Sequence, residues 1–197
     1  PLWSRGLGDV YKRQATARLR GGNADATTRQ LSAGKDAFIG KYTSQGGKFS
    51  IDVAREGADV LVKVTGASAH GSRPEEGVNP LPRLALFLKE SGLVLPPNGY
   101  AQAVRYLTDL YGTDYLGRTM GLAYSDDFMG PLTMSPNLIR EKDGKVDVLV
   151  NVRMPRGNTP EALAKATTER IKAWGTQALM RSVAVSYTHL TLPTIYS

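Results

Sequence analysis

The spacing of apolar side chains along the first half of the chain predicts strands and helices in alternation. Residues 15–20 form a short strand pattern, and apolar positions at helical spacing predict a helix over about residues 27–42. Residues 48–54 alternate between apolar and polar side chains, and residues 60–64 return as the second arm of a hairpin. We expect an apolar helix over about residues 79–92, with its prolines confined to the first turn.

The second half of the chain continues this pattern after an amphipathic helix over residues 99–112. An irregular stretch rich in Gly, Pro and Asp follows it. Residues 132–141 and 145–153 then flank a Lys-Asp-Gly turn, which is a strong signal for a β-hairpin. A last helix opens at Thr159, with a proline at its first position.

The order of these elements is strand, helix, hairpin, helix, insertion, hairpin and helix. Strands joined by hairpins, with helices between them, are typical of an α+β domain whose helices cover one face of the sheet. We therefore predict a ferredoxin-like antiparallel sheet with helices packed on one face, plus an insertion.

The two ends of the chain differ from the rest and are related to each other at the nucleotide level. "DVYKRQ", residues 9–14, can be encoded by GATGTGTATAAGAGACAG, and the reverse complement of that string encodes "VSYTH" at residues 185–189. Both ends resemble translated sequencing-library adapters. We interpret residues 1–14 and 184–197 in this way and exclude them from functional reasoning. Residues 15–183 remain, and they contain a single histidine, His70.

Composition excludes several classes of function. Without the two ends, three basic residues and one acidic residue are lost, and the net charge falls from +7 to +5. No Lys/Arg block with interleaved aromatic residues is present, so we expect no nucleic-acid partner. No apolar run approaches the roughly 20 residues that span a bilayer, so we expect no membrane partner. The absence of cysteine excludes disulfides and thiolate chemistry, and leaves open whether the compartment is cytoplasmic or periplasmic.

The loop "GASAHGSRPEEGVNP", residues 66–80, carries the first candidate residue, His70. A loop that follows a strand presents its side chains to a ligand from a rigid base, although many loop histidines are merely solvated. A metal site centred on His70 is not expected, because zinc needs three or four ligands and this is the only imidazole. Asp126 and Asp127 are typical turn-forming acids.

The strand at residues 145–153 carries the second candidate group, Arg153 with Asn151. Four valines occupy one face of this strand, so Asn151 and Arg153 share the other face at its end. A guanidinium placed there can hold a carboxylate through two parallel hydrogen bonds. The alternative is an arginine that simply faces solvent on an amphipathic strand.

Two stretches of the chain resemble a known family. "VTGASAHGSRPEEGVNPLPRLALFL" and "YSDDFMGPLTMSPNLIREKDGKVDVLVNVRMPRG", followed by the helix after Thr159, are similar to the lid (or dimerisation) domain of dinuclear-zinc exopeptidases. That superfamily includes carnosinases, aminoacylases, succinyl-diaminopimelate desuccinylase and glutamate carboxypeptidase. The spaced "DD-x-M-G … N-x-R-x-P-x-G" element resembles the peptidase V-like dipeptidases in particular.

The resemblance implies a role for each candidate residue. His70 matches a lid histidine that stabilises the oxyanion of the tetrahedral intermediate. Arg153, with Asn151 beside it, matches the arginine that holds the carboxylate of the substrate. The two zinc ions of the family lie in a catalytic domain, so we expect this chain to bind no zinc and to be inactive alone. The implied partners are a dipeptide, the chain's own catalytic domain and, in some members, a second copy in a homodimer.

Two other functions stay open. The first is an N-acyl amino acid deacylase of the same superfamily, since the lid motif does not distinguish the two substrate classes. The second is a non-catalytic ferredoxin-like module that forms dimers or binds a small molecule.

Overall fold

The chain is made of two structural units, Pro1–Leu95 and Pro96–Ser197, which are described separately below. The computed structural model describes residues 13–44, 47–69 and 73–175, together with the backbone of residues 178–179 and 194–196.

A three-stranded antiparallel sheet forms the centre of the first unit. Its central strand β3 (Asp59–Thr65) lies between β1 (Gln14–Leu19) and β2 (Ser50–Glu56). Helix α1 (Ala24–Thr43) connects β1 to β2, and helix α2 (Pro80–Glu90) follows β3. These five elements follow the beginning of the predicted order, which is strand, helix, hairpin and helix.

Both helices of the first unit cover the same face of this sheet. Along β3 only one face is buried, and it consists of Val60, Val62 and Val64. Helix α1 contacts β2 and β3, while α2 contacts β1 and β3. The ring of Phe38 on α1 lies 5.2 Å from the ring of Phe87 on α2, so the two helices share one core above the sheet.

Capping residues and prolines determine where the two helices of the first unit begin. Helix α1 begins at Ala24, a few residues earlier than the apolar pattern predicts, because the side chain of Asn23 accepts a hydrogen bond from the Ala26 N–H. Pro80 and Pro82 lie in the first turn of α2, as expected, where a missing N–H costs little.

The second unit is built on a long hairpin between two helices. Its elements in chain order are α3 (Gly99–Leu110), β4 (Ser125–Asp126), β5 (Gly130–Pro131), β6 (Thr133–Lys142), β7 (Lys145–Arg153) and α4 (Pro160–Trp174). Strands β6 and β7 pair antiparallel, and β4 pairs with β5 in a separate small hairpin. Asp143 and Gly144 join β6 to β7 with φ angles of 54° and 72°, as a type I′ turn requires, so the predicted hairpin is confirmed.

Two short strands, described as backbone only, extend this sheet beyond β7. They are β8 (Ala178–Leu179) and β9 (Thr194–Tyr196), and the strand order is β6-β7-β9-β8. Strand β9 lies within residues 184–197, whose interpretation as an adapter translation stays a prediction.

The core of the second unit joins its helices to β7. One face of β7 is buried and consists of valines, as predicted: Val146, Val148, Val150 and Val152. Helix α3 contacts β7. Trp174 at the end of α4 donates a hydrogen bond from Nε1 to Asp109 Oδ2 at 3.1 Å, and its ring meets Tyr106 edge-on at 5.6 Å. These contacts hold α4 against α3.

The predicted α+β class with antiparallel strands is confirmed. The described strands form three separate sheets, β1-β3-β2, β4-β5 and β6-β7-β9-β8, a division that the apolar pattern did not predict. Within the described part of the chain, no helix is both long and apolar enough to cross a membrane.

Candidate functional site

The loop that contains His70 is closed at its base by two backbone hydrogen bonds. The Ala67 N–H donates to Val78 O at 3.2 Å, and the Val78 N–H donates to Ala67 O at 2.9 Å. This isolated antiparallel bridge brings together the two ends of residues 67–78. The loop therefore leaves and re-enters the fold at one fixed point, as expected for a loop that presents side chains from a rigid base.

Two glycines of the loop motif allow this closure. A Cβ atom on Gly66 would fall far inside van der Waals contact with the backbone oxygen of Val78. A Cβ atom on Gly77 would lie 2.8 Å from Ala67 O and 2.5 Å from the Ala69 side chain. The backbone segments approach so closely that only glycine fits at either position.

Polar contacts fix the second half of the loop. Arg73 Nη1 donates to Glu76 Oε1 at 2.8 Å, which supports a structural role for that carboxylate. Asn79 caps α2, and its carbonyl accepts a hydrogen bond from Arg83 Nη1 at 3.2 Å. The Arg83 guanidinium also lies over the ring of Phe49, and its burial lowers the pKa of Arg83 from the usual value.

His70 itself lies outside the described residues, together with residues 71–72. Its position relative to Arg153 therefore stays a prediction. The structure contributes the geometry of the loop base, which explains why the glycines and the capping asparagine surround this histidine in the sequence.

Arg153 and Asn151 lie on the same face of β7, as predicted from the alternation of the strand. The pairing of β6 with β7 places Thr133 directly opposite Arg153, and Ser135 directly opposite Asn151. Directly opposite residues share a face of the sheet, so the four side chains form one polar strip: Thr133, Ser135, Asn151 and Arg153. Thr133 is 4% exposed and Ser135 is 2% exposed, while Asn151 and Arg153 are half-buried.

A β-bulge in β6 determines which side chains join the polar strip. Pro136 pairs with Val150 and Leu138 pairs with Leu149, so Asn137 is one extra residue in β6. An extra residue moves every side chain on one side of it to the opposite face. Without the bulge, Met134 rather than Thr133 would stand opposite Arg153.

The segments that flank the polar strip are tied together next to the end of β7. The hydroxyl of Tyr124 donates to Pro155 O at 3.0 Å, two residues after Arg153. On the β4–β5 hairpin, Phe128 is 84% exposed, and the guanidinium of Arg156 lies 5.5 Å from the centre of its ring. Tyr124 thus holds the loop after β7 close to the β4–β5 hairpin.

The acids of the β4–β5 hairpin form a turn. Asp126 Oδ1 accepts hydrogen bonds from the backbone N–H groups of Phe128 and Met129, at 3.1 Å and 2.7 Å. Asp126 is therefore a turn-forming acid, as the sequence suggested. Among the residues that the structure describes, no group of three or more His, Cys, Asp or Glu side chains is placed to hold a metal ion.

The chemistry of the polar strip suits a small anion. Its guanidinium offers a planar fork of N–H donors, and an amide and two hydroxyls stand beside it. A carboxylate matches that fork geometry, and its hydrogen bonds to the guanidinium are strongest where water is partly excluded. Sequence reasoning found Arg153 and Asn151 and missed the two hydroxyl residues, because the bulge that brings Thr133 and Ser135 to this face has no clear apolar pattern.

Comparison with known proteins gives two relatives. A "Beta-Ala-Xaa dipeptidase" from Lactobacillus delbrueckii subsp. lactis is 31% identical over 122 residues, which cover 61% of this chain and 25% of that protein. A "Putative dipeptidase YtjP" from Bacillus subtilis (strain 168) is 29% identical over 126 residues, which cover 64% of this chain and 25% of that protein.

No protein-family model matches the chain. The chain spans about a quarter of the length of the curated relatives it matches. Over that part, the chain is similar to two proteins named as dipeptidases, which supports a relationship to the peptidase V-like dipeptidases.

Proposed function

We propose that this chain is the lid part of a zinc-dependent dipeptidase. In this proposal the chain supplies His70 and Arg153, with Asn151, to the hydrolysis of a peptide bond at a centre formed elsewhere in the whole enzyme. The observation that carries the proposal is the polar strip, in which a half-buried guanidinium and an amide stand together at the end of β7.

The relatives support the same reaction class. Both carry dipeptidase in their names, and both match this chain over about a quarter of their length. The remaining three quarters leave room for a catalytic domain that this chain does not need to contain.

Arg153 has the clearest role in this proposal. Its guanidinium binds the C-terminal carboxylate of a dipeptide through two parallel hydrogen bonds, which fixes both the position and the direction of the substrate. Asn151 lies two residues earlier on the same face and contributes an amide to the same end of the substrate. His70 donates to the oxygen that becomes negative as the peptide carbonyl is attacked, a contribution typically worth about 3 kcal/mol.

The zinc ions of the proposal belong to another part of the enzyme. The described residues do not fit a zinc centre, because they hold no cluster of three suitable side chains. The part of the chemistry assigned to this chain is therefore substrate binding and charge stabilisation.

Replacing Arg153 by lysine tests the carboxylate role. The 197-residue chain is titrated with alanyl-alanine while NMR follows its backbone amides and the Nε–H of its arginines. We expect a saturable shift around Arg153 and binding about 10- to 100-fold weaker in Arg153→Lys, because lysine keeps the charge and loses the fork. Alanyl-alanine amide, which lacks the carboxylate, should not bind.

Arg140→Lys is the matched control for this substitution. Arg140 is an exposed arginine on the same hairpin, opposite Asp147, well away from the strip. Binding should be unchanged in Arg140→Lys. Equal binding of the peptide and its amide, or equal binding by Arg153→Lys and the wild type, would refute the carboxylate role.

A further inference from the structure

Thr133 of the polar strip carries a buried hydroxyl that forms no hydrogen bond with any residue that the structure describes. Its Oγ1 atom is fully buried, and no described residue donates to it or accepts from it. A buried hydroxyl without a partner costs free energy, and such groups in native proteins usually have a reason. Strand propensity alone would favour Val here, since Val has the same shape and no unmet hydrogen bond.

The pairing of the strands identifies what this hydroxyl can meet. Thr133 and Arg153 are directly opposite, and the Cβ atoms of such pairs are typically about 4.5–5.5 Å apart. Arginine carries five N–H donors, and a carboxylate bound in the fork geometry uses two of them. The other N–H donors of Arg153 can then donate to acceptors on the protein, and the hydroxyl of Thr133, on the residue directly opposite, is one such acceptor.

We infer that Thr133 is a positioning residue for Arg153. When the guanidinium engages the carboxylate of the ligand, Thr133 Oγ1 accepts a hydrogen bond from an N–H that faces away from the ligand. That bond fixes the plane of the fork, so less side-chain freedom is lost on binding. The inference rests on the proposed carboxylate role of Arg153 and adds the residue that orients it.

Two substitutions of Thr133 separate positioning from packing. Thr133→Val keeps the shape and removes the hydroxyl, while Thr133→Ser keeps the hydroxyl and removes the methyl group. In the titration of the 197-residue chain with alanyl-alanine, we expect Thr133→Val to bind about tenfold more weakly. Thr133→Ser should bind like the wild type, and only Thr133→Val should lose the ligand-induced shift of the Arg153 Nε–H.

Thr167→Val is the matched control. Thr167 is equally buried, but its hydroxyl donates to Leu163 O at 2.7 Å within α4. Removing that satisfied hydroxyl should lower the thermal midpoint and leave ligand binding unchanged. Thr133→Val should show the reverse, with an unchanged or higher midpoint and weaker binding.

The outcomes of these titrations distinguish the positioning role of Thr133 from the carboxylate role of Arg153. If the wild type binds the peptide and Thr133→Val binds it equally well, the positioning role is wrong and the carboxylate role of Arg153 stands. If Thr133→Ser binds as weakly as Thr133→Val, the methyl group matters and the role is packing. If the wild type does not distinguish the peptide from its amide, both proposals fail together.

Discussion

On the sheet of the first unit, the face away from the helices carries charged side chains in exposed ion pairs, whereas the hairpin of the second unit buries polar side chains. Arg18 on β1 pairs with Glu56 and Asp59, and Lys63 pairs with Asp52, all with substantial access to solvent. On the β6–β7 hairpin, Thr133 and Ser135 are almost completely buried.

This difference between exposed ion pairs and buried polar side chains indicates which polar residues are candidates for a binding site. Exposed ion pairs satisfy their charges locally and contribute little to stability, so they are typical of a solvated face. Buried polar groups are costly unless they are satisfied, and proteins tolerate such costs mainly at functional sites. By this criterion, the polar strip is the part of the β6–β7 hairpin that best supports the proposed carboxylate site. In the first unit, the backbone bridge between Ala67 and Val78 and the Arg73–Glu76 ion pair shape the described part of the candidate loop.

Gly66→Ala tests the backbone closure in the first unit, and we expect it to have the largest effect on the free energy of unfolding. The new Cβ would collide with the Val78 carbonyl and break the Ala67–Val78 bridge. We expect a loss of about 3 kcal/mol in the free energy of unfolding, measured by urea denaturation.

Gly34→Ala is the control for this substitution. Gly34 lies at an exposed position of α1 with open space around it. Alanine there should stabilise the chain by up to about 1 kcal/mol, through its better helix propensity. If Gly66→Ala were as harmless as Gly34→Ala, the loop base would not be closed as described.

Tyr111→Phe tests the buried polar groups of the second unit, and we expect it to have the next largest effect on the free energy of unfolding. The hydroxyls of Tyr106 and Tyr111 lie 3.1 Å apart in the core, and burial raises the pKa of both tyrosines. Tyr111→Phe leaves the hydroxyl of Tyr106 without this partner, which should cost about 1–3 kcal/mol.

The double variant Tyr106→Phe/Tyr111→Phe completes the test. It removes both hydroxyls, so its free energy of unfolding in urea should lie closer to the wild type than that of Tyr111→Phe. Strictly additive losses would mean that the two hydroxyls do not depend on each other, and the contrast between the two units would weaken.

Local signals predicted most of the elements and the face of β7. The Asp143–Gly144 turn has the conformation that a two-residue hairpin demands, and Thr159 caps α4 as its sequence indicates. The alternation of valines along β7 places Asn151 and Arg153 on one face, which depends only on the period of a strand.

Pairing between strands could not be predicted from the same signals. A period of two determines which side chains share a face of one strand, but it does not determine which strand pairs with it. One continuous sheet was therefore expected. The bulge at Asn137 has only a weak local signal in Pro136, a residue that lacks an N–H for the ladder. Thr133 therefore becomes the neighbour of Arg153 only when the register is known.

Arg18→Ala is expected to have the smallest effect of the three, and it tests the solvated face of the first unit. Arg18 Nη2 lies 2.5 Å from Glu56 Oε2 and Nη1 lies 3.2 Å from Asp59 Oδ2, and these hydrogen bonds raise the pKa of Arg18. Because the pairs are exposed, the thermal midpoint should fall only slightly in low salt, and the difference should vanish in about 1 M NaCl. A loss as large as that of Tyr111→Phe, and equally large in high salt, would mean that this face is covered in solution. The ion-paired side chains on this face of the first unit would then be candidates for a binding surface, as the polar strip of the second unit is.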